Sequence, residues 1–128
     1  MSEDLAYEVL MDHYRNPHNY GSVKDFTHGI TEYNPICGDT VHIEMHISNG
    51  IIDEIKFMGR GCSISQASSS ILTEMVKGMP AAEAAAITDQ DYLLKLGVSL
   101  GPAREKCALL SLNAMRKSLS AGGSSDGQ

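Results

Sequence analysis

Hydrophobic and polar residues alternate strictly over residues 40–47, which is the clearest pattern in the chain. The apolar positions are Val41, Ile43, Met45 and Ile47. A period of two residues is typical of a strand with one buried face. Asn49 and Gly50, the pair best suited to a type I′ turn, come next, so residues 51–58 are predicted to return as the partner strand. A short third strand is predicted at residues 29–33.

The first helix is predicted over residues 2–14. Ser2 can cap it, and Glu3 and Asp4 carry the negative charge that a helix N-terminus favours. The residues that recur at helical spacing are Ala6, Val9, Leu10 and His13. Pro17 cannot continue a helix, and residues 15–21 are therefore predicted to form a turn.

Four more helices are predicted after residue 62. Two long helices cover residues 63–77 and 102–119, and two short ones cover residues 80–86 and 89–96. The inward face of the first long helix comprises Ile64, Ala67, Ile71 and Met75. That of the last helix comprises Ala108, Leu112, Met115 and Leu119. One helix, then strands, then helices predicts an α+β fold, with helices packed on one face of a small antiparallel sheet.

Composition and charge narrow the range of functions. The chain has 128 residues, is 42% hydrophobic and carries a net charge of −6. Its length predicts one domain over residues 1–119, and the polar residues 120–128 are predicted to be a disordered tail. The acidic charge argues against a nucleic-acid partner. No apolar run approaches the roughly 18 residues of a membrane span, and no basic secretory signal is present, so a cytoplasmic location is predicted.

The candidate chemistry lies in three cysteines, Cys37, Cys62 and Cys107. An odd number argues against a disulfide framework. Cys62 precedes one predicted helix and Cys107 lies near the beginning of another, where a helix N-terminus favours the thiolate. Together with Asp39 they form a candidate Cys3Asp set that suits zinc or an iron–sulfur cluster, while buried structural thiols are the alternative.

Other polar residues carry weaker signals. His42 and His46 lie on the same face of the predicted strand, where a metal site or ordinary exposed histidines are both compatible with the spacing. His13 is predicted to pack or cap within the first helix. The serine run at residues 63–70 belongs to the predicted helix after Cys62 and is predicted to let that helix pack closely against its neighbours.

Four segments of the chain resemble the IscU/SufU family of iron–sulfur cluster assembly proteins. Three match the family's conserved blocks: NPICGD (residues 34–39), GRGCSISQASSS (residues 59–70) and PAREKC (residues 102–107). The fourth, DHYRNPHNYG (residues 12–21), is similar to the family's opening signature. The resemblance covers residues 5–119 and implies a fold of a helix, a three-stranded antiparallel sheet and a cluster of helices.

The resemblance also implies a site and a set of partners. Cys37, Cys62 and Cys107 would be ligands of zinc or of a [2Fe–2S] cluster, and Asp39 would join them and make the cluster transferable. The family accepts sulfur from a cysteine desulfurase, for which Cys37 is the predicted acceptor and Cys107 the rival. Clusters then pass to recipient apo iron–sulfur proteins, or, in the zinc-bearing SufU branch, sulfur is relayed without a cluster.

Residues near the last cysteine do not decide between the IscU and SufU branches of the family. Lys106 stands where IscU proteins usually have histidine, and LGPAR (residues 100–104) replaces the LPPVK segment, which argues against a dedicated chaperone partner. Arg104 matches an arginine of SufU, yet the usual SufU insertion is missing. Arg104 and Lys106 are candidates for stabilising a thiolate or contacting the desulfurase. A scaffold is the preferred hypothesis, with a zinc-dependent sulfurtransferase and a structural zinc adaptor as alternatives.

Overall fold

The computed structural model describes residues 2–121, which form the predicted α+β fold. The elements in chain order are α1 (Glu3–Arg15), β1 (His28–Asn34), β2 (Asp39–Ser48), β3 (Ile51–Arg60), α2 (Ser63–Val76), α3 (Ala81–Ala85), α4 (Asp89–Leu96) and α5 (Pro102–Ala121). Every predicted helix and strand is present. Helix α5 continues two residues into the predicted tail, and the rest of that tail, residues 122–128, lies outside the described residues.

The three strands form one antiparallel sheet in the order β1-β2-β3. Asn49 and Gly50 join β2 to β3 with φ angles of +54° and +77°, as a type I′ turn requires. The predicted hairpin is therefore confirmed. At the opposite end of the same hairpin, Thr40 pairs with Arg60, and β1 joins them through the pair Asn34 and Asp39. This end of the sheet carries the loops that contain the first two cysteines.

Helix ends follow local signals in the sequence. Ser2 Oγ accepts a hydrogen bond from the Leu5 backbone N–H at 3.2 Å, which confirms Ser2 as the cap of α1. Thr88 and Asp91 form a capping box at the start of α4. Gly97 ends α4 with a φ angle of +74°, a left-handed conformation that glycine adopts readily.

The hydrophobic core lies between one face of the sheet and the helices. The buried strand residues are Val41, Ile43, Met45, Ile52, Ile55 and Phe57. Helices α2 and α5 lie over them, with Ile64, Leu72, Val76, Ala108, Leu112 and Met115 buried. In α1, Ala6 and Leu10 are buried, whereas Val9 is 42% exposed. The placement of helices on one face of the sheet is confirmed. Among residues 2–121, no helix is long and apolar enough to cross a bilayer.

Helix α2 is buried through its serines as well as its aliphatic residues. The buried hydroxyl residues of α2 are Ser65, Ser68, Ser69, Ser70 and Thr73. Ser69 Oγ donates to the Ser65 carbonyl at 2.7 Å, so its hydroxyl is satisfied within the helix. Small side chains of this kind allow α2 to contact both α1 and α5. The predicted close packing is confirmed, although Ile71 and Met75 are only half-buried.

The other face of the sheet is polar and is covered in part by the segment 16–27. Glu44 is buried there, and its Oε1 accepts a hydrogen bond from the Val23 backbone N–H at 2.9 Å. The ring of Phe26 lies over Gly29, where a Cβ would be 2.7 Å from the ring. Residues 19–21 also pair with Phe57 at the outer edge of β3. An edge covered in this way does not expose free backbone groups for aggregation.

Candidate metal and sulfur-transfer centre

Four predicted ligands are positioned by the ends of three elements. Cys37 lies in the turn between β1 and β2, and Asp39 is the first residue of β2. Cys62 is the N-cap of α2, and Cys107 lies in the second turn of α5. Cys37 Sγ, an Asp39 carboxylate oxygen and Cys107 Sγ all lie within 4.8 Å of one another. Positions distant in sequence therefore converge at one end of the sheet.

The turn that carries Cys37 is organised by Asn34. Asn34 Oδ1 accepts a hydrogen bond from the Ile36 backbone N–H at 3.1 Å, and the Asn34 carbonyl accepts one from Gly38 N–H at 2.8 Å. Asn34 Nδ2 in turn donates to Cys37 Sγ at 3.1 Å. Asn34 was not among the residues predicted for the site. The available signal was the asparagine that precedes proline, because asparagine side chains commonly hydrogen-bond the backbone two residues ahead.

Cys37 and Cys107 are in direct contact, with their Sγ atoms 3.0 Å apart. Cys37 is exposed, whereas Cys107 is only 4% exposed. Both are free cysteines. An external reactant therefore reaches Cys37 first, while Cys107 contacts the same sulfur from the protein side.

Asp39 connects Cys62 with the pair formed by Cys37 and Cys107. Its Oδ1 accepts a hydrogen bond from the Cys62 backbone N–H at 3.0 Å, and Cys62 Sγ lies 3.6 Å from its Oδ2. The residue is only 1% exposed. Gly61 has a φ angle of +148°, and a Cβ at this position would collide with Asp39 Oδ1. Glycine is therefore required here, both for the backbone conformation and for the space that the carboxylate occupies.

The pKa of the Cys107 thiol is raised far above its usual range. The main cause is burial, followed by hydrogen bonds with Cys37, Asp39 and Cys62. The prediction that a helix N-terminus favours the Cys107 thiolate is therefore wrong for the thiol alone. The helix dipole acts chiefly within the first turn, and Cys107 lies in the second.

A thiophilic cation fits this donor set. Three sulfurs and a buried carboxylate can all become anionic only beside a positive charge that offsets their mutual repulsion. Thiolate ligands suit zinc and iron, and a carboxylate can complete a four-ligand set. Within residues 2–121, Cys37, Asp39 and Cys107 are the only three Cys, His, Asp or Glu side chains close enough to share one ion. Cys62 adjoins this group through Asp39.

Arg104 and Lys106 lie on the exposed surface of α5. In the described part of the chain, neither makes a hydrogen bond or ion pair with a cysteine. Lys106 lines a groove of about 540 Å³ beside the site, together with Tyr33, Asn34 and Pro102. The predicted roles of both cations remain predictions.

The strand histidines bind different partners on the polar face of the sheet. His42 Nε2 lies 2.8 Å from Glu44 Oε2, and His46 Nδ1 lies 2.7 Å from Asp53 Oδ1. His13 packs against α2, with its Nδ1 2.7 Å from Ser70 Oγ. The metal interpretation of His42 and His46 therefore finds no third ligand among residues 2–121.

Comparison with known proteins agrees with the fold. The NifU-like N terminal domain matches residues 6–122, and the chain therefore belongs to this family. The predicted membership of the IscU/SufU group of iron–sulfur cluster assembly proteins is confirmed. Its relatives include the zinc-dependent sulfurtransferase SufU of Bacillus subtilis, which is 36% identical over 90% of this chain and 89% of the relative.

A second relative is an IscU protein. The iron–sulfur cluster assembly scaffold protein IscU of Haemophilus influenzae is 38% identical over 90% of this chain and 94% of that protein. Among solved structures, the crystal structure of a hypothetical protein superimposes with a TM-score of 0.80 at 30% identity. The superposition covers 92% of this chain and 98% of the chain in that crystal structure. The family of this chain is therefore established. The names of the two sequence relatives, however, state different activities.

Proposed function

We propose that this chain is an iron–sulfur cluster assembly scaffold that accepts sulfur from a cysteine desulfurase. The cluster would be a [2Fe–2S] cargo held by Cys37, Asp39, Cys62 and Cys107. The observation that carries the proposal is the convergence of Cys37, Asp39 and Cys107 within 4.8 Å, with Cys62 hydrogen-bonded to the same aspartate. The IscU and SufU relatives support the same class of function. The site of action would be the cytoplasm.

Cys37 is the proposed sulfur acceptor. Its thiolate attacks the terminal sulfur of the desulfurase persulfide, a new S–S bond forms on Cys37, and the desulfurase cysteine leaves as a thiolate that takes up a proton. The sulfur moves at the same oxidation level, so this step needs no external electrons. Exposure of Cys37 and the hydrogen bond from Asn34 Nδ2 at 3.1 Å both favour attack by this thiol.

The surface around Cys37 suits a protein partner. Ile36 is 71% exposed and Tyr33 is 58% exposed, and both flank the turn that carries the thiol. Lys106 lies across the neighbouring groove. Exposed apolar side chains beside a reactive group are typical of a surface that a partner covers. We assign this surface to the desulfurase.

Asp39 would be the ligand that allows the scaffold to release its cluster. A carboxylate binds a soft metal centre less firmly than a thiolate does, so one of the four ligands is weaker than the others. The Cys62 N–H bond to Oδ1 keeps the carboxylate in place, and Oδ2 faces the Cys62 sulfur at 3.6 Å. Recipient apo iron–sulfur proteins would take the cluster with their own thiolates.

The second candidate is a zinc-dependent sulfurtransferase that relays sulfur without building a cluster. The same Cys3Asp set has the number and type of ligands that tetrahedral zinc prefers, and the Bacillus subtilis relative carries this activity in its name. Bound zinc would supply a positive charge that keeps the thiolates deprotonated. Arg104 would then stabilise the reacting thiolate.

Anaerobic reconstitution tests the two candidates against each other. The protein is mixed with a cysteine desulfurase, cysteine, a reductant and equimolar Fe(II) and Zn(II), and bound metals are then counted. Sulfur-to-iron charge-transfer bands with about two irons per cluster are expected for the scaffold. A colourless zinc protein that accelerates the desulfurase would instead support the sulfurtransferase. Bound zinc without acceleration would leave a structural adaptor, and neither metal nor acceleration would refute all three.

A further inference from the structure

We propose that Cys107 is a resolving thiol, which releases the sulfur carried by Cys37 as hydrogen sulfide and leaves a Cys37–Cys107 disulfide. The chain itself would thus release sulfide from the persulfide on Cys37. This inference deepens the proposed function, because it rests on Cys37 as the acceptor of sulfane sulfur.

The contact between the two sulfurs carries the proposal. Cys37 Sγ and Cys107 Sγ are 3.0 Å apart, so an approach of about 1 Å brings them to the bond length of a disulfide near 2.05 Å. Cys107 is fixed in the second turn of α5 and is 4% exposed, whereas Cys37 lies in a turn at the surface. The movable sulfur is therefore on the loop and the fixed one is on the helix.

The direction of approach favours release of the outer sulfur. A sulfur delivered to exposed Cys37 extends toward the partner, and Cys107 contacts Cys37 Sγ from the buried side. Attack on the inner sulfur displaces the outer one toward the surface. Cys62 is less well placed for this role. Its sulfur lies 3.6 Å from Asp39 Oδ2, and it is not part of the group in which all ligand atoms lie within 4.8 Å.

The step balances without an added reductant. The Cys107 sulfur bonds to Cys37 Sγ, and the bond between Cys37 Sγ and the outer sulfur breaks. The outer sulfur takes the electron pair and, together with its own proton, the proton of the Cys107 thiol, and it leaves as H₂S. The two cysteine sulfurs are oxidised to the disulfide while the sulfane sulfur is reduced to sulfide. An external dithiol then reduces the disulfide for the next cycle.

Burial raises the pKa of the Cys107 thiol, so its proton has to leave during the attack, and Asp39 is positioned to accept it. One of its carboxylate oxygens lies within 4.8 Å of both Cys37 Sγ and Cys107 Sγ. The carboxylate is 1% exposed, so bulk water does not compete strongly for this role. Asp39 would thus have two roles. It is the weakest ligand of a bound cluster, and it helps to move the proton from the Cys107 thiol to the departing sulfur.

Inorganic polysulfide provides the test, because it loads a persulfide without the desulfurase or iron. The full-length chain is reduced, treated with a chelator, freed of reductant and loaded anaerobically. Excess polysulfide and the sulfide expelled during loading are removed, and the sulfide released afterwards and the peptide disulfides are measured. Wild type is expected to release one sulfide per persulfide formed on Cys37 and to form the Cys37–Cys107 disulfide in equal amount. Cys107→Ser and Cys107→Ala are expected to keep the added sulfur until a dithiol is supplied, with release at least tenfold slower.

Ser118→Ala is the matched control, because Ser118 is a buried residue of the same helix whose hydroxyl has no partner among residues 2–121. Its release is expected to equal that of wild type. The proposal is wrong if either Cys107 variant releases sulfide at the wild-type rate, or if Cys62→Ser stops release. Wild-type peptides that contain a Cys37–Cys62 disulfide, or sulfide release with no disulfide, would equally overturn it, even if the Cys107 variants failed to fold. Because no iron or desulfurase is present, failure here leaves the reconstitution result unaffected.

Discussion

Asn34 Nδ2 donates a hydrogen bond to Cys37 Sγ at 3.1 Å, while Oδ1 of the same side chain accepts one from the Ile36 backbone N–H at 3.1 Å. One buried amide thus fixes the turn and also donates a hydrogen bond to the sulfur. Asn34 acts on sulfur chemistry through Cys37 and is therefore a positioning residue.

Asn34→Ala is expected to slow the reaction of Cys37 with iodoacetamide about tenfold, since a hydrogen bond to a charged group contributes roughly 1.5 kcal/mol or more. Mass spectrometry of both exposed cysteines in one sample gives the rate for Cys37 and, as an internal control, for Cys62. Gln90→Ala on the exposed surface of α4 is expected to change neither rate. Equal slowing of Cys37 and Cys62 in the Asn34 variant would show general misfolding instead of a local effect.

Gly61→Ala is expected to disturb the site more than a comparable glycine substitution elsewhere. A Cβ at position 61 would collide with Asp39 Oδ1, whereas at Gly78, with a φ angle of +86°, it would meet nothing within 4 Å. Both substitutions place alanine at a positive φ angle, which costs on the order of 1–3 kcal/mol. Only Gly61→Ala should also weaken zinc binding, measured by competition with a chromogenic chelator. Equal zinc affinities in the two variants would contradict this account of Asp39.

Local signals explain why most of the fold could be predicted from the sequence. The alternation from Val41 to Ile47 and the Asn49 and Gly50 turn act within a few residues, so they specify the hairpin without information from elsewhere in the chain. Strand ends were less predictable. Asp39 and Arg60 extend the sheet because each pairs with a residue of the neighbouring strand, and not because of their own side chains.

The site was only partly predictable for a related reason. The family motifs identified Cys37, Cys62 and Cys107, but the direct contact between Cys37 and Cys107 depends on how α5 packs against the sheet. The effect of burial on Cys107 was missed because helix position alone suggested a more acidic thiol. Asn34 was missed because its role arises only once the turn around Cys37 has formed.

Acidification below pH 6.5 is expected to destabilise the protein through His13. Burial, and next the neighbouring His18, lower the pKa of His13 in the folded state. The unfolded chain therefore binds more protons than the folded one below the ordinary value of 6.5, and the free energy of unfolding falls as pH falls. Ser70 Oγ accepts from the His18 backbone N–H and lies 2.7 Å from His13 Nδ1, which suits a neutral imidazole.

His13→Gln tests this origin of the pH dependence. Urea unfolding between pH 7.5 and 5 is expected to show a shallower fall in the variant than in wild type, whatever its stability at pH 7.5. Some dependence should persist, because burial also lowers the pKa of His28. Gln90→Ala leaves the histidines in place and should keep the wild-type slope. A His13→Gln slope equal to that of wild type would assign the effect to other groups.

Zinc is expected to stabilise the folded chain through the four-ligand site. A ligand that binds only the folded state at a hundred times its Kd adds about 2.7 kcal/mol to the free energy of unfolding, which corresponds to a rise in Tm of roughly 10 °C for a domain of this size. Asp39→Asn removes the anionic ligand but keeps the shape, so its shift should be smaller. Asp53→Asn, which changes an exposed partner of His46, should retain the full shift. Magnesium prefers oxygen ligands and should stabilise none of the proteins, and an equal shift with magnesium would rule out binding by the thiolates.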